Sequence, residues 1–414
     1  QLVEMDPLYQ LTFDDATLLS TPDHEEMKAR VERTFPGNGP GVDRFMRRER
    51  RKYDAMYPCL KMPYDTLLSM LNWRMLAALP HMSIRENLFG HLGHYFSDDR
   101  CRLSFTFQAK YLGMSPWECP AAFAILPYIE RAYGIHHVMG GLSRISDAMA
   151  RVIEEHGGEI HTDRAVTRII TDSGRRASGI ALGDGERIDA DAVVINADFG
   201  YAMENLFEPG FLRTYTPAKL SAMRYSCSTF MLYLGLDTIY DEPHHHIIFA
   251  SDYRRNMEDI AAGRPLSDDM SIYIRNAVAT DSTLAPPGQS ALYVLVPISN
   301  LLSGFEWTAD YVAGLRDTVL THIEQRTAMH DLRRHIVAEH MITPRTWKDD
   351  YNLFAGSTFN LSHNLAQLLY FRPHNRFEEC RNCYLAGGGT HPGSGLPTIY
   401  ESGRIAADLI CKDV

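Results

Sequence analysis

A mixed α/β (α+β) fold is the class this sequence predicts, on three observations. "DAVVINAD" at 191–198 is an unbroken apolar run of the kind that forms a buried parallel strand. "LAGGGTHPGSGLPTIYESGRIAADLI" at 385–410 joins a strand-like run to a glycine loop, and then to a helical pattern opened by a proline. "STFMLYLGL", "MSIYIRNAV" and "SALYVLVPI" read as longer strands, enough for a second sheet roofing a long cavity. With 414 residues, 45% of them hydrophobic, the chain can bury a large core and build two or three domains.

In chain order, residues 1–20 read as short strands, with "YQLTF" alternating and a turn at Asp14 and Asp15. From Thr21 to about Tyr133 the pattern is mostly helical. "TPDHEEMKARVERTF" opens with Thr21 as N-cap, Pro22 at the first helical position and acids in the first turn. "RFMRRERRKYDAMY" is a basic helix whose Arg47, Arg48, Arg50, Arg51 and Lys52 read as a solvated face or as a contact for anionic headgroups. "PYDTLLSMLNWRMLAALPHM" is amphipathic and rich in Met, Leu and Trp. "MGGLSRISDAMARVIEEHGGEI" is a glycine turn, a helix with apolar residues at helical spacing, and a Gly-Gly stop after His156. Then come "AVTRII", "ASGIAL" and "RIDA", separated by turns at "DSG" and "GDG", and the buried run closes the block. "ADYVAGLRDTVLTHIEQRT" is an amphipathic helix within the later strands. His244, His245 and His246 are consecutive, point in different directions, and read as loop or strand edge rather than as a metal site.

Composition narrows the function classes. A net charge of −11 argues against nucleic acid as a partner. Seven mostly scattered cysteines fit a reducing compartment, and Cys380 and Cys383 lack the second pair that a structural metal site needs. No apolar run approaches the ~20 residues of a membrane span, so the expected protein is soluble or lies on a membrane without crossing it.

Bare backbone between a strand and a helix leaves main-chain N–H groups and the helix dipole facing an electron-rich ligand. Missing side chains let a flat ring or a pyrophosphate come close to the main chain. "FRPHNR" at 371–376 followed by "NCYLAGGGTHPGSGLP" at 382–397 resembles the C-terminal signature of the bacterial and fungal type of phytoene desaturase. "TFQAKYLGMSPWECPAAFAILPYIERAYGIHHVMGGLSRI", "GGEIHTDRAVTRI" and "GSTFNLSHNLAQLLYFRPHNR" resemble that family in the same order, so the likeness spans the chain. It implies a two-dinucleotide-binding-domain flavoprotein of amine-oxidase-like fold, carrying FAD. The implied domains are a substrate sheet from 1–20 and 201–375, a helical block at 21–135, and an FAD-binding part from 136–200 and 376–414. The family's strand and G-x-G-x-x-G are missing, since Gly37, Gly39 and Gly41 follow no strand. With Gln1 rather than Met at the start, the expectation is that roughly 70 upstream residues lie outside this chain.

The resemblance also implies residues. Val166 offers backbone to adenine, and Asn196, Ala197 and Asp198 end a strand near the dinucleotide. Gly388, Gly389, Thr390, His391, Pro392, Gly393, Gly395, Leu396 and Pro397 line the pyrophosphate, ribityl chain and ring, with His391 read equally as a backbone-capping loop histidine. Asp98 and Arg102 fall where the family has a charged pair near the substrate, or form a surface pair. Phe105, Phe107, Tyr111, Phe354 and Phe359 are candidate tunnel walls. The implied reaction is desaturation of a C40 polyene, phytoene, by hydride transfer to flavin at the cytoplasmic side of a membrane, with room for a homo-oligomer. Rivals are a C30 diapophytoene or hydroxyneurosporene desaturase, a ketolase, a flavin-free prenyl-lipid carrier of the same fold, and a polyamine or amino-acid oxidase.

Overall fold

Strand alternation explains the largest feature of the molecule. The computed structural model describes residues 1–83 and 85–413, apart from the side chain of Tyr111. Among these residues the strands are β1 (Leu2–Glu4), β2 (Tyr9–Thr12), β3 (Thr17–Ser20), β4 (His136–Val138), β5 (Val166–Thr171), β6 (Ala177–Leu182), β7 (Arg187–Asp189), β8 (Val193–Ile195), β9 (Ser228–Leu236), β10 (His245–Ile248), β11 (Ile272–Asn276), β12 (Ser290–Ile298), β13 (Ile336–Ile342) and β14 (Cys383–Leu385). Seven form one sheet in the order β13-β9-β12-β11-β10-β2-β3. All its neighbours are antiparallel except β10 and β2, which run parallel.

On one face Phe230, Leu232 and Leu234 of β9 and Leu292, Val294 and Val296 of β12 pack against Leu315, Val319 and Ile323 of the helix Ala309–Arg326. The alternate residues Tyr273, Tyr293 and Leu295 face the other way and line a cavity. The histidine triple is not at an edge. His245 and His246 open β10, which sits between β11 and β2.

The β2–β3 hairpin is covered by helices. Leu8, Leu11 and Leu18 share a core with Met27 and Val31 of the helix His24–Thr34, and with Val42 and Phe45 of the helix Gly39–Leu60. The first of these is capped by Asp23, whose carboxylate accepts the Glu26 N–H, so the cap lies two residues beyond the expected Thr21. The basic helix is not solvated all round. Lys52 and Glu49 are buried as an ion pair at 2.8 Å, and Glu49 also holds His91 and Tyr95. Burial alone would drive both groups neutral; for Glu49 the His91 hydrogen bond and the Lys52 charge outweigh it, whereas for Lys52 burial still prevails over the Glu49 charge and lowers the amine.

The remaining layer holds the glycine loop. β14 pairs in parallel with β8, Leu385 opposite Ile195, and the meander β5–β6–β7 stands beside them. The helix Leu396–Asp413 lays Ile405, Ala406 and Leu409 on Tyr384 of β14. Parallel pairing matches the expectation for the apolar run, but Val194 is exposed. The helix Ser143–Glu155 buries no residue, and its Met149, Val152 and Ile153 are exposed. No helix among the described residues is long and apolar enough to cross a membrane.

Candidate functional site

The strand β14 delivers its C-terminal end into the loop Ala386–Gly395, and the helix beginning at Leu396 leads away. Two positions there require glycine. Gly393 has φ +129°, and a Cβ would sit 2.3 Å from His363 Nε2. A Cβ on Gly389 would meet Phe199 Cβ at 2.4 Å. The N–H groups of Gly388, Gly389, Gly395 and Leu396 find no acceptor among the described residues. Unpaired amides in the glycine loop, with others at the start of a long helix, make a seat for an electron-rich group. The residues therefore fit a flavin, which these amides would help to hold.

Arg372 holds the loop in shape. Its side chain is fully buried and meets no carboxylate among the described residues. Nε donates to Thr390 O at 3.0 Å, Nη1 to Gln367 O at 3.0 Å and Ser362 O at 3.3 Å, and Nη2 to Leu361 O at 3.1 Å and Gly388 O at 2.5 Å. Burial lowers its pKa to about 9, which leaves it charged at neutral pH. Asn375 adds bonds to Leu385 O and His391 O. Sequence reasoning used "FRPHNR" only as a family marker. The signal available was the sole charged residue in a mostly apolar stretch before the loop, "LAQLLYFRP".

A second residue it missed is His363. Its Nδ1–H donates to Leu112 O at 3.1 Å and its Nε2 accepts the Ser394 N–H at 2.9 Å. Burial, with Arg372 nearby, keeps the ring neutral by pushing its pKa well below the usual range. One imidazole thus ties the stretch Phe107–Leu112 to the glycine loop.

The cavity lies against the open face of the large sheet and measures about 650 Å³. Ile135, Val138, Ile247, Tyr273, Tyr293 and Leu295 form much of its wall, and Phe359 and Leu396 bring it to the glycine loop. Its charged residues are Lys110 and Arg275, and no Asp or Glu lines it. A smaller hollow between Ile195, Ala197, Phe199, Gly389 and Thr390 adjoins the loop from the β8 side.

The other expected site residues fall as follows. Asp98 and Arg102 do not pair, and neither lines the cavity. Asp98 caps the short helix Asp99–Leu103 and binds Arg100, whose side chain holds its carboxyl below the usual range. Arg102 donates to Phe96 O and pairs with Asp99. Asp198 caps the helix Phe199–Asn205 and accepts from Tyr201, Phe354 and Asn360. Burial raises its pKa. Its carboxylate shapes the end of β8 rather than reaching the hollow that Ala197 lines. Asn196 is exposed beside Gly387, and Val166 opens β5 at its exposed end. Thr390 Oγ1 donates to Pro373 O, and Pro392 is buried behind the loop while Pro397 lies in the exposed first turn of the last helix. His391 donates from Nε2 to Leu60 O at 3.1 Å, and its ring meets Tyr64 edge to face. Burial pushes its pKa down to about 3. Of the expected walls, Phe107 and Phe359 line the cavity, Phe105 is stacked on Phe96 in the helical core, and Phe354 packs on Tyr225. The side chain of Tyr111 lies outside the described residues.

Three comparisons with known proteins bear on this geometry. The family of flavin containing amine oxidoreductases matches residues 4–411. A 4,4'-diapophytoene desaturase (4,4'-diapolycopene-forming) from Methylomonas sp is 50% identical over 412 residues, covering 100% of this chain and 80% of its own. An all-trans-zeta-carotene desaturase from Myxococcus xanthus is 37% identical over 420 residues, covering 100% of this chain and 78% of its own. Among solved structures, the cyclohexylamine oxidase of Brevibacterium oxydans shares the fold, with a TM-score of 0.53 at 14% identity over 97% of this chain and 80% of that one.

Proposed function

The chain belongs to the flavin-containing amine oxidoreductases and, within them, to the carotenoid desaturases, and from that premise we propose that its substrate is the C30 polyene 4,4'-diapophytoene. It is an FAD-dependent oxidoreductase of carotenoid biosynthesis. The observation that carries the C30 reading is the 50% identity along the whole chain to the Methylomonas enzyme, against 37% to the zeta-carotene desaturase. The C30 polyene is one of the alternatives that the sequence offered beside C40 phytoene.

The cavity supports an apolar polyene. Its walls are aliphatic and aromatic, and without a carboxylate it offers nothing to hold an ammonium substrate, which sets it apart from a polyamine oxidase. Four unpaired amides at the glycine loop have no use in a flavin-free carrier. When bound, FAD supplies the hydride acceptor; this chain orients the polyene along the sheet and excludes water. Gly388, Gly389, Gly395 and Leu396 are assigned to the flavin, and the division into a sheet part, a helical block and an FAD-binding part is retained as a proposal.

The route in for such a substrate is a membrane surface, and the protein docks there through 67–79. Leu67, Leu68, Leu71, Trp73 and Leu76 are all exposed, Leu68 at 77% and Trp73 at 73%, with Arg74 over the Trp73 ring. A cluster of that kind is unusual on a protein that stays in water.

The deciding experiment gives the flavin-loaded enzyme liposomes carrying either diapophytoene or phytoene and follows visible absorbance as conjugation lengthens. The C30 polyene alone, or at a rate at least tenfold higher, is expected to turn coloured. Equal or better turnover of phytoene would move the substrate back to C40.

A further inference from the structure

A desaturation removes two hydrogens from adjacent carbons, and a flavin accounts for only one of them as hydride. The proton needs an acceptor inside an apolar cavity. The groups that line it leave few choices. No carboxylate is present. Burial holds Tyr293 up at about 12 and Tyr273 above the usual phenol range, so neither is a base. His244 and His137 have both nitrogens engaged. The Nε2 of His244 accepts from Arg275 at 3.2 Å and its Nδ1 meets Thr280; the Nδ1 of His137 faces Arg275 at 3.4 Å and its Nε2 meets Asp281 at 3.0 Å. His245 Nδ1 is 2.8 Å from the Tyr273 hydroxyl, and His136 stands exposed at the rim.

Lys110 differs from all of these. It lies on the stretch Phe107–Leu112, whose last carbonyl is joined through His363 to Ser394 of the glycine loop, and it lines the cavity together with Phe359 and Leu396. Nζ has no hydrogen-bond or ion-pair partner among the described residues. It rests 4.8 Å from the centroid of the Tyr253 ring, and the thiol of Cys227 is the titratable group beside it. The other ionisable residues lining the cavity are His136, His137, His244, His245, Tyr273, Arg275 and Tyr293, none of them an acid of carboxylate type.

We propose that Lys110 is the proton acceptor of the desaturation, an assignment that rests on the desaturase reading of the cavity. One carbon of the polyene gives up its hydrogen as hydride to the flavin. The adjacent carbon gives up its hydrogen as a proton to the lone pair of neutral Nζ. The electron pair left behind becomes the new C=C bond. The polyene is oxidised by two electrons, the flavin is reduced by two, and the ammonium returns its proton to solvent. Burial supports the role by lowering the amine to about 7, so a large fraction is neutral at physiological pH.

The test uses the flavin-loaded enzyme and the variants Lys110→Met and Lys110→Arg. In single turnovers, flavin reduction by polyene is expected to slow about 100-fold or more in both, with flavin content and polyene binding unchanged. The unmodified enzyme's rate is expected to rise with pH up to about 7 and level off, and this limb disappears in Lys110→Met. A readout independent of turnover is the pH dependence of Lys110 labelling by an uncharged amine reagent, located by mass spectrometry, with an expected midpoint near 7. A Lys110→Met rate within about threefold of the parent, a pH limb that survives in that variant, or a labelling midpoint near the ~10.4 of a free lysine overturns the assignment. Absence of any polyene-dependent flavin reduction in the unmodified enzyme is a different result, and it removes the desaturase reading beneath the proposal.

Discussion

Replacing Arg372 by Lys keeps the charge and removes the fork. The guanidinium reaches five carbonyl oxygens, on Thr390, Gly388, Gln367, Ser362 and Leu361. An ammonium on a single tether reaches at most about two of them from one position, since its donors radiate from one atom. About three buried carbonyls then lose their donor, at roughly 1 kcal/mol each, for a total of about 3 kcal/mol. That is a substantial part of a typical stability of roughly 5–15 kcal/mol. The loss falls on the glycine loop and on the segment 361–367 that Arg372 ties to it, so flavin retention should fall more steeply than global stability. Thermal unfolding followed by circular dichroism, with flavin release followed by fluorescence in the same scan, reads both. The expected result is a midpoint lowered by on the order of 5 °C and flavin released at least several degrees before the chain unfolds. Arg372→Met, which removes the arginine donor from all five carbonyls and leaves Ser362 O only its bond from Gln367 Nε2, should fail to accumulate in soluble form. If Arg372→Lys keeps full flavin and a midpoint within a degree of the parent, the arginine is not what shapes the loop.

Other outcomes follow from the same structure. Gly389→Val and Gly393→Val each place a branched side chain where a Cβ alone is within 2.4 Å of a neighbour, so both should be purified without yellow colour, as absorbance shows. His244, His245 and His391 are held neutral, at about 3, 4 and 3. Because the unfolded chain binds protons that the folded one refuses, stability should fall as pH drops below about 6.5, by about 2 kcal/mol per histidine at pH 5, and urea midpoints at pH 7 and 5 measure this. His391→Asn should remove one share of that slope; an unchanged slope would mean that the ring is not neutral in the fold. Leu68→Glu with Trp73→Glu should leave stability within ~0.5 kcal/mol and abolish co-sedimentation with liposomes, because both side chains already face water.

The parts of the fold that read from sequence were those encoded locally. Glycine spacing, the proline at the helix start and the alternation in β9 and β12 each carry their meaning within a few residues. The site residues fared differently for a physical reason. Asp98 looks like a substrate-side acid, but an aspartate two and three residues ahead of free helical amides satisfies them first, and Arg100 lies closer than Arg102. Thr21 and Asp23 are both acceptable caps, and tertiary packing chose the second. Lys110 is invisible as an interior residue from sequence, since only the packing of distant segments buries it, while Arg372 left the fainter trace of a lone charge in "LAQLLYFRP". The helix Ser143–Glu155 shows the converse: its pattern is amphipathic, yet it buries no residue and leaves Met149, Val152 and Ile153 exposed.

The one parallel junction in the large sheet sets an order on how the chain can come together. Gln10 of β2 touches His246 of β10 across 236 positions of sequence. At ribosomal speeds of roughly 5–20 residues per second, that separation is a wait of about ten to fifty seconds. During that time the β2–β3 hairpin has no partner on its open edge, but the helices of residues 24–60 are already available to cover its apolar side. The nascent hairpin and these helices thus make a self-contained shelter for an edge that would otherwise invite pairing with another chain. The wall of the cavity can close only when β10 arrives, so a half-made chain has no place for its greasy cargo.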